Sequence, residues 1–393
     1  MIKLKVTESL EIYFSLVEDT RHQAYITYEL SDILFLLICG MLCGCKDILE
    51  ILELSYEKID FFKKYTNIPE IPSYITMLNI LNMINPNQLE LCFYGIFRNV
   101  FKHDIKTKEK QICIDGKTVR STCKMKEYSK PLHIITALLA DEYVSLGQVA
   151  VSAKDNEIPA VRELLDKLDI KNAVITMDAM HCQKETVEKI ISKKGDYVVQ
   201  LKGNQGNFYK DVYAMFDDKY MDMADKNSEY ETCTTIEKGH GRIEKRTCYV
   251  LNELEFFTDY LANWKGLKKI FAVKRETERN GKQTKEISCY LSSKNTSAEQ
   301  LLSYTRKHWQ IESFHWILDM HYSEDNTKLR HEKSQICLNT LRKFAISILK
   351  KYIENHPVKR KTLKSSIFRC LINENYLLEV LKYYCNDNPS MYS

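Results

Sequence analysis

The order of elements between residues 111 and 202 constrains this chain more than any other feature. "QICID" (111–115), "PLHIITALLA" (131–140) and "EYVSLGQVAV" (142–151) are apolar runs of strand character. The last two meet at Asp141 and Glu142, a hairpin spacing. "NEIPAVRELLDKL" (156–168) places apolar residues at 158, 161, 164, 165 and 168, one helical face. "NAVITMD" (172–178) reads as a strand, "QKETVEKIISKK" (183–194) as a helix and "DYVVQLK" (196–202) as another buried-type strand. Three strands followed by helix, strand, helix, strand predict an α/β fold with a mixed five-stranded sheet and flanking helices.

In such a sheet, right-handed crossovers let the first and fourth strands lie side by side and parallel. Their carboxyl ends then meet at a switch point, where α/β sheets form sites. Asp115 ends the first strand and Asp178 the fourth. Two ionised carboxylates at close range repel, so they require a divalent cation or a proton. Oxygen ligands favour Mg²⁺ or Mn²⁺ over zinc. Two such ions about 4 Å apart suit phosphodiester cleavage.

The helical pattern of 297–320 offers a third carboxylate, Glu312, on one stripe with His308, His315 and Asp319. Ile311, Phe314 and Leu318 form the neighbouring apolar stripe. The bland alternatives are a solvated helix face for Glu312 and turn-forming aspartates for the other two. Glu324 is another candidate for the third acid.

Residues 1–108 have helical apolar spacing and predict an all-helical N-terminal domain, a possible reader of DNA ends. The catalytic core then occupies 109–226 and 295–350. Between them, residues 227–294 alternate Thr, Tyr, Val and Ile and predict a β-rich insertion; residues 351–393 predict a helical basic tail.

Several residues near these ends are candidate supports. Lys117 and Arg120 follow Asp115 and are placed to contact phosphates, or to sit on a solvated turn. Lys202, Asn204 and Gln205 follow the fifth strand, and His240 and Arg242 occupy a "GHGR" hairpin; all five are candidate DNA contacts. His181 lies three residues past Asp178, and Glu157 opens a helix, where an acid is favoured by the dipole. Trp309 and Trp316, at helical spacing, read as core.

Composition excludes some classes. Net charge is only +4, so no global basic field marks the chain. The 13 cysteines are scattered, without a CxxC pair. Cys39, Cys43 and Cys45 sit in an apolar run and read as packed core, which disfavours a zinc-dependent regulator and fits a reducing cytosol. The apolar run 33–45 is too short to span a bilayer, and no leader pattern is expected.

Seven ordered segments carry a family resemblance: "ICIDGKTVRST", "HIITALLA", "NEIPAVRELLDKL", "VITMDAMHCQ", "GDYVVQLKGNQ", "GHGRIEKRTCYV" and "HWQIESFHWILDMHYSED". They resemble the ISAs-type insertion-sequence transposases, or H-repeat-associated proteins, of the DDE transposase group. "DTRHQAYITYELSDILFLLICGMLCGCKDILEI" and "IPSYITMLNIL" resemble that family's N-terminal helical domain.

The resemblance implies an RNase H-like core with its Asp-Asp-Glu triad on Asp115, Asp178 and Glu312. It implies two Mg²⁺ ions, nicking at element ends, and attack of the freed 3′-hydroxyl on target DNA. The implied partners are double-stranded DNA, as terminal inverted repeats and target, and a second copy in a synaptic homodimer. The implied location is the bacterial cytoplasm, at the nucleoid when DNA is bound, with no membrane. Broader relatives carry Arg four residues before the Glu and Lys seven after it; here stand His308 and Asp319. The H-repeat-associated branch is similar to this chain there, with Arg306 and His308 before "WQIE". Hairpin chemistry at the ends is therefore not carried over. The alternatives are a nuclease on the same core that does not join strands, and a DNA-binding remnant without catalysis.

Overall fold

The computed structural model describes residue 10 and residues 13–100, 109–124, 131–151, 157–218, 220, 229–239, 241–356 and 362–385. Among the described residues, the helices α1 (Leu30–Leu42), α2 (Ile48–Glu57), α3 (Ile59–Tyr65), α4 (Tyr74–Met83) and α5 (Pro86–Val100) precede the sheet. Asp47 and Ser73 cap α2 and α4 by accepting from the backbone N–H of Glu50 and Thr76. The cap at Ser73 sets the start of α4 just after Pro72, and the three clustered cysteines are buried.

The α/β part then runs β1 (Lys110–Thr118), β2 (His133–Leu139), β3 (Val144–Val151), α6 (Glu157–Lys167), β4 (Ala173–Met177), α7 (Lys184–Ser192), β5 (Asp196–Leu201) and α8 (Gly206–Phe216). It continues through β6 (Tyr230–Gly239), β7 (Arg242–Leu251), α9 (Thr258–Asn263), β8 (Lys269–Arg279) and β9 (Lys282–Ser292). Four helices follow: α10 (Ala298–Tyr322), α11 (Glu332–Asn355), α12 (Leu363–Ile372) and α13 (Glu374–Cys385).

All nine strands form one sheet, in the order β3-β2-β1-β4-β5-β9-β8-β7-β6. The β1–β4 and β4–β5 pairs are parallel and the rest antiparallel. The sheet is therefore wider than the five strands expected. A five-stranded sheet would leave the outer edge of β5 unpaired, an open template for other chains. Here Val198–Leu201 pair with Cys289–Ser292, so the insertion prolongs the sheet. Every residue of β2 and β4 is buried, as strands covered on both faces should be.

Helix α10 crosses one face of this sheet. Its residues Ala298, Leu301, Leu302 and Tyr304 pack over Val174, Val198, Cys248, Val250, Phe271 and Val273. Ser297 caps its start, and Ser323, in the left-handed region at φ 49°, ends it. Helix α11 is buried along most of its length and packs against α1, α4, α5, α12, α13 and β3. The C-terminal helices thus share a core with the N-terminal ones, and the boundary expected at 350/351 falls inside α11. Among the described residues no helix is long and apolar enough to cross a membrane.

Candidate active site

Strand parity fixes which side chains share a face with α10. Side chains alternate along a strand, so 111, 113 and 115 point one way. Gln111 Nε2 donates to the carbonyl of Tyr304 at 2.8 Å and Cys113 lies against that of Lys307, so this is the α10 face. On β4 the same parity takes Val174, Thr176 and Asp178. Ile114 pairs with Met177 in parallel register, which brings Asp115 beside Asp178. Asp178 directly follows the end of β4 as expected, but Asp115 does not end its strand: β1 continues to Thr118, because Asp115 to Thr118 go on pairing with β2. Glu312 faces them from α10. Burial, and then the charges of Asp115 and Asp178, push its carboxyl above the usual range.

Two histidines on α10 flank Glu312. His308 Nδ1 lies 3.0 Å from Thr176 Oγ1; burial pulls its pKa down, although Asp115 and Asp178 oppose this. His315 Nδ1 lies 3.5 Å from Asp115 Oδ2. Burial alone would raise the Asp115 carboxyl; His315, then His308, outweigh it and hold it below its ordinary value. Asp178 accepts from the backbone N–H of Met180 at 3.1 Å and lies 3.8 Å from His181 Nε2.

Behind Asp178 sits a buried cluster that sequence reasoning saw only in part. Glu157 lies between two imidazoles, with His181 Nε2 3.1 Å from Oε1 and His133 Nε2 3.1 Å from Oε2. Burial would raise this carboxyl, but the imidazoles of His133 and His181 beside it bring it down to about 2. His133 also meets Thr118 Oγ1 at 2.9 Å. The cluster leaves no room on β1: a Cβ on Gly116 would lie 2.3 Å from His133 Nε2 and 2.5 Å from Glu157 Oε1. The only sequence signal for His133 was a polar residue opening an otherwise apolar strand.

The remaining candidates separate. Lys117 is enclosed by Asp319, Glu324 and Asp325, and Arg120 is largely exposed with Nε 3.4 Å from Asp325. Asn204 and Gln205 donate to the carbonyls of Ala179 and Cys182 at 2.8 and 2.6 Å, bracing the turn after β4. Glu324, the other candidate acid, is buried against Lys117 and Asn339. His240 lies outside the described residues.

An open trough of about 570 Å³ runs beside Asp178, His308 and Glu312, between α10 and the insertion strands. Lys202, Arg242 and Arg306 line it, together with Lys238, Arg246 and Arg275, which sequence reasoning did not single out. Arg306 pairs with Glu237 at 2.5 Å and Arg242 with Glu244 at 3.0 Å. Trp309 and Trp316 are not core: they are 56% and 59% exposed. Periodicity put them on one stripe, but it is the stripe opposite Ile311, Phe314 and Leu318, which dock on the protein. The Arg275 guanidinium lies 5.9 Å from the Trp309 ring centroid. Among the described residues, no three His, Cys, Asp or Glu side chains are drawn together closely enough to form a ready metal cage.

Comparison with known proteins accords with this arrangement. Residues 106–348 match the model of the transposase DDE domain, and residues 12–96 match the model described as DDE_Tnp_1-associated. Putative transposase YncI of Escherichia coli O157:H7 is 34% identical over 374 residues, 93% of this chain and 94% of that protein. H repeat-associated putative transposase YhhI of Escherichia coli strain K12 is 32% identical over 375 residues, 94% of this chain and 96% of that protein. Among solved structures, a piggyBac transposase synaptic complex with hairpin DNA aligns at 12% identity and a TM-score of 0.39, covering 99% of this chain and 82% of that one. That superposition is too loose to carry a conclusion. The domain match over more than half the chain, and the relatives that span nearly all of it, make this protein a member of the DDE transposase family, akin to the H repeat-associated transposases.

Proposed function

We propose that this enzyme nicks DNA at the ends of an insertion element and transfers the freed 3′-hydroxyl to target DNA, with Asp115, Asp178 and Glu312 as the catalytic carboxylates. The observation that carries the reading is the parallel β1–β4 register that sets Asp115 beside Asp178 under the helix carrying Glu312, whose charged form is disfavoured by burial first and then by these two acids. Asp115 within β1, Asp178 just past the end of β4 and Glu312 on α10 are brought near each other, and the first two disfavour charge on the third. Such a set fits a hard divalent cation in donor type and in charge, although its side chains are not already closed around one point. When bound, two Mg²⁺ ions, or Mn²⁺ in their place, supply activation of a hydroxyl and neutralisation of charge at the phosphate.

The chain's own residues do the rest. His308 and His315 hold Thr176 and Asp115 from the helix side. Asn204 and Gln205 fix the turn that presents Asp178. The cations of the trough track the backbone of the duplex and set its register, without reading its sequence. The strand order β3-β2-β1-β4-β5 supports an RNase H-like core to which β6–β9 are added. On this reading the N-terminal helices bind the element ends, a second copy completes the synaptic complex, and the work is done at the bacterial nucleoid.

The test is a cleavage assay on duplexes carrying the flanking inverted repeats, with and without Mg²⁺, followed by joining of a pre-cut end to plasmid. Wild type cuts and joins only with the metal, and Asp178→Asn does neither. Cutting by Asp178→Asn removes that residue from the mechanism; cutting without joining makes the protein a nuclease; neither activity in wild type makes it a remnant.

A further inference from the structure

The Lys117 side chain leaves β1 on the same face as Asp115, two residues earlier. Its ammonium lies 2.6 Å from Asp319 Oδ1, contacts Glu324, and is 3.6 Å from Asp325 Oδ1. Asp319 is on α10, two turns past Glu312 and on the same stripe. Glu324 and Asp325 belong to the turn that follows the left-handed Ser323. Glu324 is only 2% exposed, and its second oxygen accepts from Asn339 Nδ2 of α11. Asp325 also receives the backbone N–H of Arg120 at 3.1 Å.

An ammonium has three donors, and three carboxylates surround this one. We infer that Lys117 is a positioning residue: it locks the end of the Glu312 helix onto the strand that carries Asp115, and does not contact DNA. The lock joins β1, α10, the turn after it and α11 at one point. With its side chain only 15% exposed and its ammonium held among three carboxylates, Lys117 offers little to an approaching phosphate. Without the ammonium, buried Glu324 loses its nearest cation and keeps only Asn339 and the more distant Lys343 and Arg342, while Asp319 and Asp325 repel it. The end of α10 then shifts, and Glu312 shifts with it.

This inference rests on the carboxylate site proposed above, and Asp178→Asn serves as the control for that site. The full-length chain is assayed on an inverted-repeat duplex with Mg²⁺, measuring the single-turnover nicking rate and, separately, the Kd for DNA at several salt concentrations. Lys117→Met is expected to slow nicking on the order of a hundredfold, the scale of a small misplacement of catalytic groups. Its Kd and salt dependence stay at the wild-type values. Lys117→Arg, which keeps a cation, recovers most of the rate.

Asp319→Asn, at the more exposed partner, keeps the fold if Lys117→Met does not. It is expected to slow nicking about tenfold at unchanged Kd, because a smaller misplacement costs less. A weakened Kd with a salt slope reduced by about one identifies Lys117 as a phosphate contact and overturns the inference. Wild-type nicking by Lys117→Met or Asp319→Asn also overturns it. If Asp178→Asn still nicks, the site itself fails; if Asp178→Asn is dead while Lys117→Met nicks normally, only the lock fails.

Discussion

Replacing Glu157 with Gln tests the electrostatics of the cluster behind Asp178. The amide keeps the shape of the side chain and loses the charge that both imidazoles hold. In the fold the Glu157 carboxyl titrates at about 2, against an ordinary value of 4.5. A carboxyl depressed in the fold contributes stability that is complete above its unfolded pKa and is lost as pH falls through its folded one. The gap corresponds to about 3 kcal/mol at about pH 7, shrinking to about 1 kcal/mol by about pH 3. The side chain is only 4% exposed, so solvent screening takes little from this figure. Urea unfolding of wild type and Glu157→Gln across this pH range checks it, with the slope m required to stay constant. The variant should be less stable by about 2–3 kcal/mol at about pH 7, and the curves should converge as the pH drops. A gap of constant size from neutral to acid pH would refute the reasoning, because it would mean that packing and not charge holds Glu157 in place.

The same cluster makes Gly116→Ala costly: the new Cβ must displace His133 or Glu157, and a loss of about 1–3 kcal/mol or more should appear as a lowered Tm. The tryptophans divide by burial. Trp264→Ala, at 1% exposure, should cost about 3–5 kcal/mol, while Trp309→Ala should cost under about 1 kcal/mol, read by denaturant unfolding. Glu312→Gln removes a carboxylate whose charged form is disfavoured, so it should melt higher than wild type in chelator at neutral pH. That advantage should fade as the pH falls and Glu312 takes a proton. Mg²⁺ at about 100 times its Kd should stabilise wild type by about 2.7 kcal/mol and the variant by less.

Much of the sheet was legible because strands and helices differ in period. The runs at 131–140, 142–151, 172–178 and 196–202 contain β2 to β5, the run at 111–115 is the first half of a longer β1, and crossover handedness was enough to place β1 beside β4. What joins β5 was not legible: edge pairing leaves no mark on the sequence of either strand, so β6–β9 read as a separate insertion. The tryptophan stripe of α10 was visible, but period alone cannot say which stripe faces protein. His133, Glu157 and His181 come from three elements, and only the folded sheet shows that they meet. That three acids about 200 positions further along the chain converge on Lys117 was not legible either, because nothing local reveals it.

The burial of α11 against α1, α4 and α5 has a consequence for how the protein is made. The first helices emerge from the ribosome with apolar faces whose partner, starting at Glu332, lies more than half the chain downstream. They must wait, half-formed or chaperoned, until the last quarter of the chain is synthesised. A product that stops before residue 332 would retain the acids on β1, β4 and α10, yet expose the seam α11 fills, and should be cleared as misfolded.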